Sequence, residues 1–330
     1  MSAVELVALA DQLRSLQGLQ AKQDIQAAAR AFAHHPFAEL GEASRLGDDA
    51  ALIPAQTGQL LLACEGMQPE LVQEDPWFAG WSAVLVNISD IAAMGGRALA
   101  LVNSLWSPQE QLMAPLLAGM QFACDKFALT MVSGHSNARS PYAALSVAVL
   151  GVAEGPVLSA RAARAGDALV LLVDGDGRQY RHYPFWDAAT GADPARLQAQ
   201  LQLLPQLAES GIARAAKDIS MGGLVGTAVM FAEACGLAIT LDLDSIPRPQ
   251  GLTERDWLSC FPSYGFLLAV PPAQLPALTE LLRPHGHLLW ARIGGFDGAS
   301  GAVSLRRQDQ IESLWQPTTP LTGFAAVASP

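Results

Sequence analysis

The sequence lacks the features that mark several large classes of protein. Its longest apolar stretches are interrupted by Gly, Pro or charged residues well short of a bilayer span, and its start shows no basic region followed by an apolar core. We therefore expect neither a membrane protein nor a secreted one. Basic residues are also scarce. The net charge of -11 argues against a nucleic-acid-binding surface, because phosphate backbones are bound by Lys and Arg.

Cysteine is rare and unpatterned. The four cysteines form no CxxC pair and have no His at ligand spacing, so neither a zinc site nor a redox pair is indicated. Reduced, mostly buried thiols in a cytoplasmic protein are the expectation. What the chain has in abundance is apolar side chains: 51% of its 330 residues are hydrophobic and 15% are charged. Such a composition is typical of a well-packed globular protein, and the length allows two domains.

The order of predicted elements indicates an α/β (α+β) chain. Residues 3–33 are predicted to be helical, and further helices are predicted over residues 80–95 and 108–126. Gly/Pro-rich residues 153–166 are the expected domain boundary, and strands and helices alternate again beyond them up to an irregular tail. Strand candidates before that boundary are 50–53, 60–64, 98–106, 129–132 and 143–152.

The helix at residues 80–95 carries a carboxylate where none is expected. Its side chains are apolar all round, which predicts burial on every side, yet Asp90 lies toward the C-terminal end, where the helix dipole disfavours negative charge. An ionised carboxylate in such surroundings is costly unless it is paired or binds a metal. Asn87, three residues earlier, projects from the same face. The pair suggests a bound cation and a group that the cation holds, or else a structural Asp bonded to a neighbouring loop.

Two turn-like segments combine small residues with polar side chains. Asp48 and Asp49 follow Gly47 at the turn into a strand, where Mg²⁺ would relieve the repulsion between adjacent carboxylates, although the same residues also suit an ordinary turn. Residues 133–137 follow a strand and suit either a phosphate-contacting loop or a plain polar loop. The polar or small residues of that second segment include Gly134, His135, Ser136 and Asn137.

The segment 217–223 opens an apolar helix. Gly222 and Gly223 at the helix start would let backbone N–H groups approach an anion, and the helix dipole favours phosphate there. Asp218 is then a candidate metal ligand, with Lys217 as a point charge on the phosphate. A Ser-capped helix after a turn, with Ser220 in the turn, would produce a similar pattern.

Two weaker candidates concern the substrate and a further ligand. Glu65 ends a strongly apolar strand, so it is either another metal ligand or the first exposed residue. Residues 178–186 combine two arginines, a histidine and four aromatics, and Arg181 and His182 are candidate contacts of an anionic substrate beside Trp186. The alternative is an ordered surface loop anchored by its aromatic residues. Tyr264 is a second candidate for the substrate lining.

Five segments, in their order along the chain, resemble the AIR synthase superfamily of ATP-dependent enzymes. That superfamily includes aminoimidazole ribonucleotide synthetase, thiamine-monophosphate kinase, selenophosphate synthetase and the hydrogenase-maturation carbamoyl dehydratase. The segments are GDDAALI at 47–53, VNISDIAAMGG at 86–96, SGHSNAR at 133–139, KDISMGGLVGTA at 217–228 and SYGFLLAV at 263–270. The chain is most similar to an AIR-synthase-related subgroup often encoded in bacterial nitrilase gene clusters. The segments that resemble this subgroup are ACEGM at 63–67, DPWFAGW at 75–81, PFWDAATG at 184–191 and CFPSYGFLL at 260–268.

The resemblance implies a two-domain AIR-synthase-like fold in which the N-terminal sheet pairs with that of a second subunit in a homodimer. ATP would lie in a cleft at the dimer interface, with Mg²⁺ on its phosphates. The implied segments are a helical segment at 1–40, an ATP-binding and dimerisation domain at 41–155, a C-terminal α/β domain at 156–318 and a tail at 319–330. The implied metal ligands are Asp48 or Asp49, Asp90 and Asp218, and Glu65 is added as a candidate from its own position in the sequence. The implied phosphate or nucleotide contacts are Asn87, Gly134, His135, Ser136, Asn137, Lys217, Ser220, Gly222 and Gly223.

We therefore expect a MgATP-binding enzyme that phosphorylates a small polar metabolite, or activates it through phosphorylation, with Asp90, Asp218 and His135 as catalytic residues. Cys64 and Glu65 stand where thiamine-monophosphate kinases carry a Thr-Asp pair, and His135 stands where they carry Asp, so the resemblance does not name the acceptor. The alternatives are a selenophosphate-synthetase-like dikinase and a regulatory protein that binds nucleotide without turnover. Phosphoryl transfer needs mainly positioning and charge neutralisation from a protein.

Overall fold

The computed structural model describes residues 3–32, 47–55 and 58–324 of the 330-residue chain. The expected boundary at residue 40 and the last residues of the expected tail lie outside these ranges. Three short helices begin the chain, and the leucines of the first two are buried in the core of the C-terminal half of the molecule. These helices are α1 (Ala3–Arg14), α2 (Gln17–Gln20) and α3 (Ile25–Phe32).

The first half of the chain forms a five-stranded sheet that two long helices cover on one face. The strand order is β1-β2-β5-β3-β4, antiparallel except for the β3–β4 pair, whose crossover is helix α6. In chain order the elements are β1 (Ala51–Pro54), β2 (Gln59–Gly66), α4 (Pro69–Glu74), α5 (Pro76–Ala93), β3 (Arg97–Trp106), α6 (Glu110–Phe127), β4 (Met131–Asn137) and β5 (Ala144–Ala153).

Two sequence-based expectations change in this half. Residues 133–137 do not form a loop: β4 continues through them, paired in parallel with β3. Polar residues are tolerated there because β4 is the edge strand, where solvent satisfies their side chains. Helix α5 begins earlier than expected, at Pro76, because the Asp75 carboxylate caps it by accepting the N–H of Phe78 at 3.3 Å.

Helices α5 and α6 touch through their backbones. A Cβ atom on Gly80 would lie 2.0 Å from the carbonyl oxygen of Leu116, and one on Gly119 would lie 2.0 Å from that of Trp77. Both glycines are therefore needed for this close approach. The expectation that α5 is buried on every side is met for 13 of its 18 residues, whereas Ser82, Val86 and Ser89 are only half-buried.

The second half of the chain forms a seven-stranded sheet flanked by helices, with strand order β15-β14-β10-β13-β6-β12-β9, and a small sheet of β11, β8 and β7. All pairs in the larger sheet are antiparallel except β10–β14. In chain order the elements are β6 (Ala168–Asp174), β7 (Arg178–Gln179), β8 (Phe185–Asp187), α7 (Pro194–Leu201), α8 (Leu203–Glu209), β9 (Ala215–Asp218), α9 (Gly223–Cys235), β10 (Leu237–Asp242), α10 (Glu254–Leu258), β11 (Phe261–Pro262), β12 (Gly265–Val270), α11 (Leu275–Leu282), β13 (Leu288–Ala299), β14 (Val303–Arg307) and β15 (Gln310–Trp315).

The Gly/Pro-rich segment 153–166 runs between β5 and β6, the last strand of one sheet and the first of the other. Leu158 in this segment donates its N–H to the carbonyl of Met94, just after α5, at 3.0 Å and accepts the N–H of Ala216 in β9 at 2.9 Å. The linker therefore holds α5 beside β9. Helix α5 carries Asp90, and β9 ends at Asp218. Among the residues that the structure describes, no helix has the length and hydropathy needed to cross a bilayer.

Candidate active site

A cavity of about 320 Å³ lies between the two domains and is lined by both. On the N-terminal side its wall comes from the turn before β1, the end of β2, α4 and one stripe of helix α5. The α5 lining residues recur three or four positions apart and so share one face. The opposite wall comes from β8, β9, β11, the turn before α9 and the second half of α9. The residues of the α5 stripe are Phe78, Trp81, Ser82, Leu85, Val86, Ser89 and Asp90.

One end of the cavity is acidic. All five expected metal ligands line the cavity, from the turn before β1, from β2, from α5 and from β9. The carboxylates of Asp49, Glu65, Asp90 and Asp218 lie close enough to influence one another. Asp90 is 7% exposed and Asp218 is 6% exposed, so both carboxylates are nearly removed from bulk water. Such a concentration of buried acidic groups is unfavourable in the absence of a cation.

The pKa values of these carboxyl groups reflect that cost. Burial raises the pKa of Asp90 well above its usual value, and the neighbouring charges of Asp218, Glu65 and Asp49 raise it further. Burial, followed by the charge of Asp49, raises the pKa of Asp218 to about 7, although Lys217 opposes the rise. Desolvation by surrounding groups also raises the pKa of Glu65, although the residue as a whole is exposed at the end of β2. Part of the cluster therefore keeps its protons near neutral pH when no cation is bound.

A buried cation lies within the acidic end. Lys217, 4% exposed, forms an ion pair with Asp49. Burial by itself lowers the pKa of Lys217, but the charges of Asp49 and Asp48 outweigh it and the pKa is raised. Lys217 therefore stays protonated, as its expected role as a point charge on a phosphate requires.

Asp48 also lines the cavity, but its carboxylate is already bonded to other parts of the protein. Its carboxylate accepts the Ser159 hydroxyl at 2.6 Å, the N–H of Ala160 at 2.9 Å and a guanidinium N–H of Arg161 at 3.2 Å. These partners belong to the linker between the domains. Asp48 thus ties the turn before β1 to the linker, while its neighbour Asp49 forms the ion pair with Lys217.

The carboxylate oxygens at the acidic end of the cavity are of the kind that Mg²⁺ prefers as ligands. Oδ2 of Asp49 and Oδ2 of Asp90 are buried without a hydrogen-bond partner, and carboxylate oxygens in that state are what a hard cation would satisfy. In the described parts of the chain, however, no three acidic, His or Cys side chains converge on one point as a ready-made metal site. A Mg²⁺ ion here would need the remaining ligands from phosphate oxygens and water, which is how Mg²⁺ is commonly held.

Several expected nucleotide contacts lie away from this cavity. Asn87 is fully buried on another face of α5, where its amide donates to the carbonyl of Ala83 at 2.8 Å and its Oδ1 has no partner. The 133–137 segment lies in β4, at the edge of the N-terminal sheet, and His135 is exposed there. Neither group lines the cavity, so any nucleotide they contact would lie outside it.

The glycines at the start of α9 have a packing role. Gly223 has φ +65°, and a Cβ atom on it would lie 2.5 Å from Cα of Ser259, so only glycine fits. Gly222 and Gly223 do not line the cavity, whereas Ser220 and Met221 do. A phosphate-binding role for the two glycines stays a prediction, and the close packing explains the presence of Gly223 without it.

The aromatic segment 178–187 forms a hairpin whose tip is fastened to the start of α5. Arg181 pairs with Asp75 at 2.9 Å, and His182 lies 3.7 Å from Glu74. Neither of these expected substrate contacts lines the cavity, because acidic side chains of the other domain already engage them. Trp186, the third member of that prediction, does line it.

Tyr264 also lies outside the cavity. It is 5% exposed, and its hydroxyl donates to the carbonyl of Gln200 at 3.0 Å, while the adjacent Ser263 does reach the lining. The expectation that Tyr264 lines the substrate site is therefore not met in this structure.

Both ends of the described chain contribute lining residues that the sequence did not indicate. Lys22, after α2, and Thr322 and Phe324, near the end, face the cavity. Lys22 lowers the pKa of Glu65 and of Asp218, which places its charge near theirs. A lone lysine between short helices carries no sequence pattern that would have revealed it.

The C-terminal segment is held in place by one carboxylate. Glu233 on α9 accepts three backbone N–H groups, those of Leu321 at 3.1 Å, Thr322 at 3.0 Å and Gly323 at 2.8 Å. The described part of the expected irregular tail is therefore an ordered part of the cavity wall.

Comparison with known proteins agrees with this architecture. Residues 47–153 match the model of the AIR synthase related protein, N-terminal domain, and residues 164–304 match that of the AIR synthase related protein, C-terminal domain. The "Uncharacterized protein sll0787" of Synechocystis sp. is 44% identical over 315 residues, which cover 95% of this chain and 97% of that protein. A thiamine-monophosphate kinase of Synechococcus elongatus is 26% identical over 299 residues, covering 82% of this chain and 89% of the kinase.

The fold has solved counterparts. A structure described as AaThiL complexed with AMPPCP and TMP aligns with TM-score 0.64 at 21% identity, over 89% of this chain and 95% of that one. The two-sheet, two-domain architecture is thus that of the AIR synthase related proteins, and the chain belongs to that family.

Proposed function

We propose that the protein binds MgATP and transfers, or uses, its terminal phosphoryl group on a small-molecule acceptor. The observation that carries the proposal is the acidic end of the cavity. Asp49, Glu65, Asp90 and Asp218, from separate elements, line it with raised pKa values, and two of their carboxylate oxygens have no partner. Buried acidic groups that repel one another are typical of a site that is completed by a cation. The solved AaThiL complex with AMPPCP supports the same inference by analogy of fold.

In this proposal Asp90 and Asp218 would hold Mg²⁺, which would neutralise the charge that develops on the transferred phosphoryl group. Asp49 keeps Lys217 protonated, and Lys217 lies beside the same carboxylates. Its ammonium group would therefore contact a phosphate oxygen of the nucleotide whose Mg²⁺ the carboxylates hold. Lys22 would add a second positive charge from the N-terminal segment. The apolar walls would keep water from the phosphoryl group and so favour transfer over hydrolysis.

The proposal includes a homodimer formed through the N-terminal sheet. Helices cover one face of this sheet, and the other face presents apolar side chains that nothing in the described chain covers. Exposed apolar faces of that kind are typical of a subunit interface. The exposed side chains on its strands are Leu62, Leu99, Val102, Val132 and Leu150. Edge strand β4, with His135, would then lie near the interface, where the nucleotide is expected.

The proposal is tested by titrating wild type and Asp90→Asn with ATP in a calorimeter, in Mg²⁺ and again in EDTA. Loss of one ligand from such a site is expected to weaken MgATP binding by about tenfold or more. Binding that is equal under all four conditions would exclude a metal-dependent nucleotide site.

Phosphorus NMR of ATP incubated with candidate acceptors then identifies the reaction. ADP is the expected nucleotide product. AMP as the main product would indicate the dikinase alternative, and tight MgATP binding without turnover on any acceptor would indicate the regulatory one.

A further inference from the structure

The end of the cavity opposite the acidic cluster is built from aromatic rings. Phe78 of α5, Phe185 of β8 and Phe261 of β11 all line it, and we call these three residues the aromatic wall. Phe185 and Phe261 are direct partners in the parallel β8–β11 pair, so their side chains project to the same side. Their ring centroids lie 6.1 Å apart at an interplanar angle of 88°, and those of Phe78 and Phe185 lie 6.3 Å apart at 22°.

The rings of the aromatic wall are held before any ligand arrives. Tyr180 stacks on Phe78 with 3.6 Å between ring centroids, and the Tyr180 hydroxyl donates to Asp75 at 2.6 Å. The N–H of Phe261 donates to the carbonyl of Pro184 at 2.8 Å, which fixes β11 beside the hairpin. A surface that is fixed in this way binds a flat partner without a large cost in conformational entropy.

Two polar groups near the aromatic wall already accept hydrogen bonds from the protein. The Ser263 hydroxyl accepts the N–H of Ala188 at 3.0 Å, and Oδ1 of Asp187 accepts the N–H groups of Ala189 at 3.1 Å and Thr190 at 2.9 Å. A ligand rich in hydroxyl groups would lose its bonds to water here and regain few. The chemistry at this end favours a flat and largely uncharged ring.

The geometry of α5 sets the distance between the two ends. Phe78 and Asp90 are twelve residues apart on one stripe, which at 1.5 Å per residue corresponds to about 18 Å. The cavity volume of about 320 Å³ is at the small end of ligand pockets, which span about 300–1,000 Å³. It has room for one small molecule and the terminal phosphates, and not for a whole nucleoside triphosphate together with its acceptor.

We infer that the acceptor is an amphipathic molecule with a flat ring, which lies on the aromatic wall, and a reactive polar end, which reaches toward the acidic cluster. The inference rests on the proposed function, in which the adenosine lies outside this cavity beside β4. It replaces the expected small polar metabolite with a ring-bearing one.

The test uses two hydroxyl-bearing probes of similar size, benzyl alcohol and cyclohexylmethanol, with 1,4-butanediol as an acyclic reference. Binding to the MgADP-saturated protein is followed by saturation-transfer NMR and by the fluorescence of Trp81 and Trp186, which line the cavity. Benzyl alcohol is expected to bind about two- to tenfold more tightly than cyclohexylmethanol, which is the contribution of ring stacking alone, and 1,4-butanediol more weakly still.

Three variants locate the binding. Phe261→Leu keeps an apolar side chain and loses the flat face, so benzyl alcohol should bind about two- to tenfold more weakly. Phe261→Ala should bind benzyl alcohol about tenfold more weakly or worse, because the apolar area that the ring buries is lost as well. Ile311→Ala is the control, because it removes an apolar side chain that lies on β15 outside the cavity lining and is 66% exposed.

Two results would overturn the inference: equal affinity for the flat and the saturated ring, or competition between MgADP and benzyl alcohol, which would assign the aromatic wall to the adenine. Failure of MgADP to bind, with intact ring selectivity, would instead reject the proposed phosphoryl transfer and leave the ring-binding site standing.

Discussion

Replacement of Asp218 by Asn is expected to stabilise the ligand-free protein at alkaline pH. Burial and the Asp49 charge raise the pKa of Asp218 from 3.8 to about 7. That rise means that the folded protein disfavours the ionised carboxylate relative to the neutral carboxyl group by roughly 4 kcal/mol. The Asn variant keeps the shape of the side chain and cannot ionise, so it removes that penalty.

The pH dependence has a defined sign. The unfolded chain releases this proton near pH 4, whereas the folded protein holds it up to about pH 7, so the folded state binds more protons between these values. Stability therefore falls as the pH rises through this window. Between pH 5 and pH 8, wild type should lose roughly 2.5 kcal/mol more of its free energy of unfolding than Asp218→Asn does.

The measurement is urea unfolding in EDTA at pH 5 and pH 8 for both proteins. Asp309→Asn, a change at an exposed turn residue, is the matched control and should follow wild type at both pH values. The same loss of stability in wild type and Asp218→Asn would refute the reasoning, because Asp218 would then be a satisfied structural carboxylate. Addition of MgADP should stabilise wild type more than the variant, since only wild type retains the acidic group that binds the cation.

Three further outcomes follow from the site and the surface. Lys22→Met keeps the apolar stem and removes a charge from the cavity, so MgATP should bind about tenfold more weakly by calorimetry; unchanged affinity would leave Lys22 without a role in nucleotide binding. Glu233→Gln should free the Leu321–Gly323 amides, which hydrogen exchange detects as faster exchange of the C-terminal segment; unchanged protection would show that other contacts hold this segment. Leu150→Glu places a charge on the uncovered face of the N-terminal sheet and should turn the proposed homodimer into a monomer near 34.8 kDa by light scattering. A wild-type protein that is already a monomer at micromolar concentration would reject the dimer.

Much of the fold was predictable because its signals are local. The apolar helix with Asp90 and the alternating strands on both sides of the 153–166 boundary are read from periodicity over a few residues. Asp90 itself was recognisable because a lone carboxylate conflicts with its apolar surroundings, and such local conflicts mark functional positions.

The rest of the site depends on contacts between distant residues. Asp48 and Asp49 are indistinguishable in sequence, yet one ties the linker and the other pairs with Lys217, since adjacent side chains point in different directions. Arg181 was expected in the substrate site because a cation among aromatics suits an anion. Its engagement by Asp75 depends on how the hairpin docks on the other domain, and no local pattern encodes that docking.

The backbone contact between α5 and α6 limits how this protein can close on a ligand. With 2.0 Å between the Cβ position of Gly80 and a carbonyl oxygen of α6, helix α5 has no slack in which to tilt. Asp90 and the rings of Phe78 and Trp81, which α5 carries, therefore move together with the N-terminal sheet. Tightening of the cavity would require movement at the contacts between the domains, which are the hairpin that Asp75 holds and the linker that Asp48 holds. The rate of opening would then depend on these contacts rather than on α5.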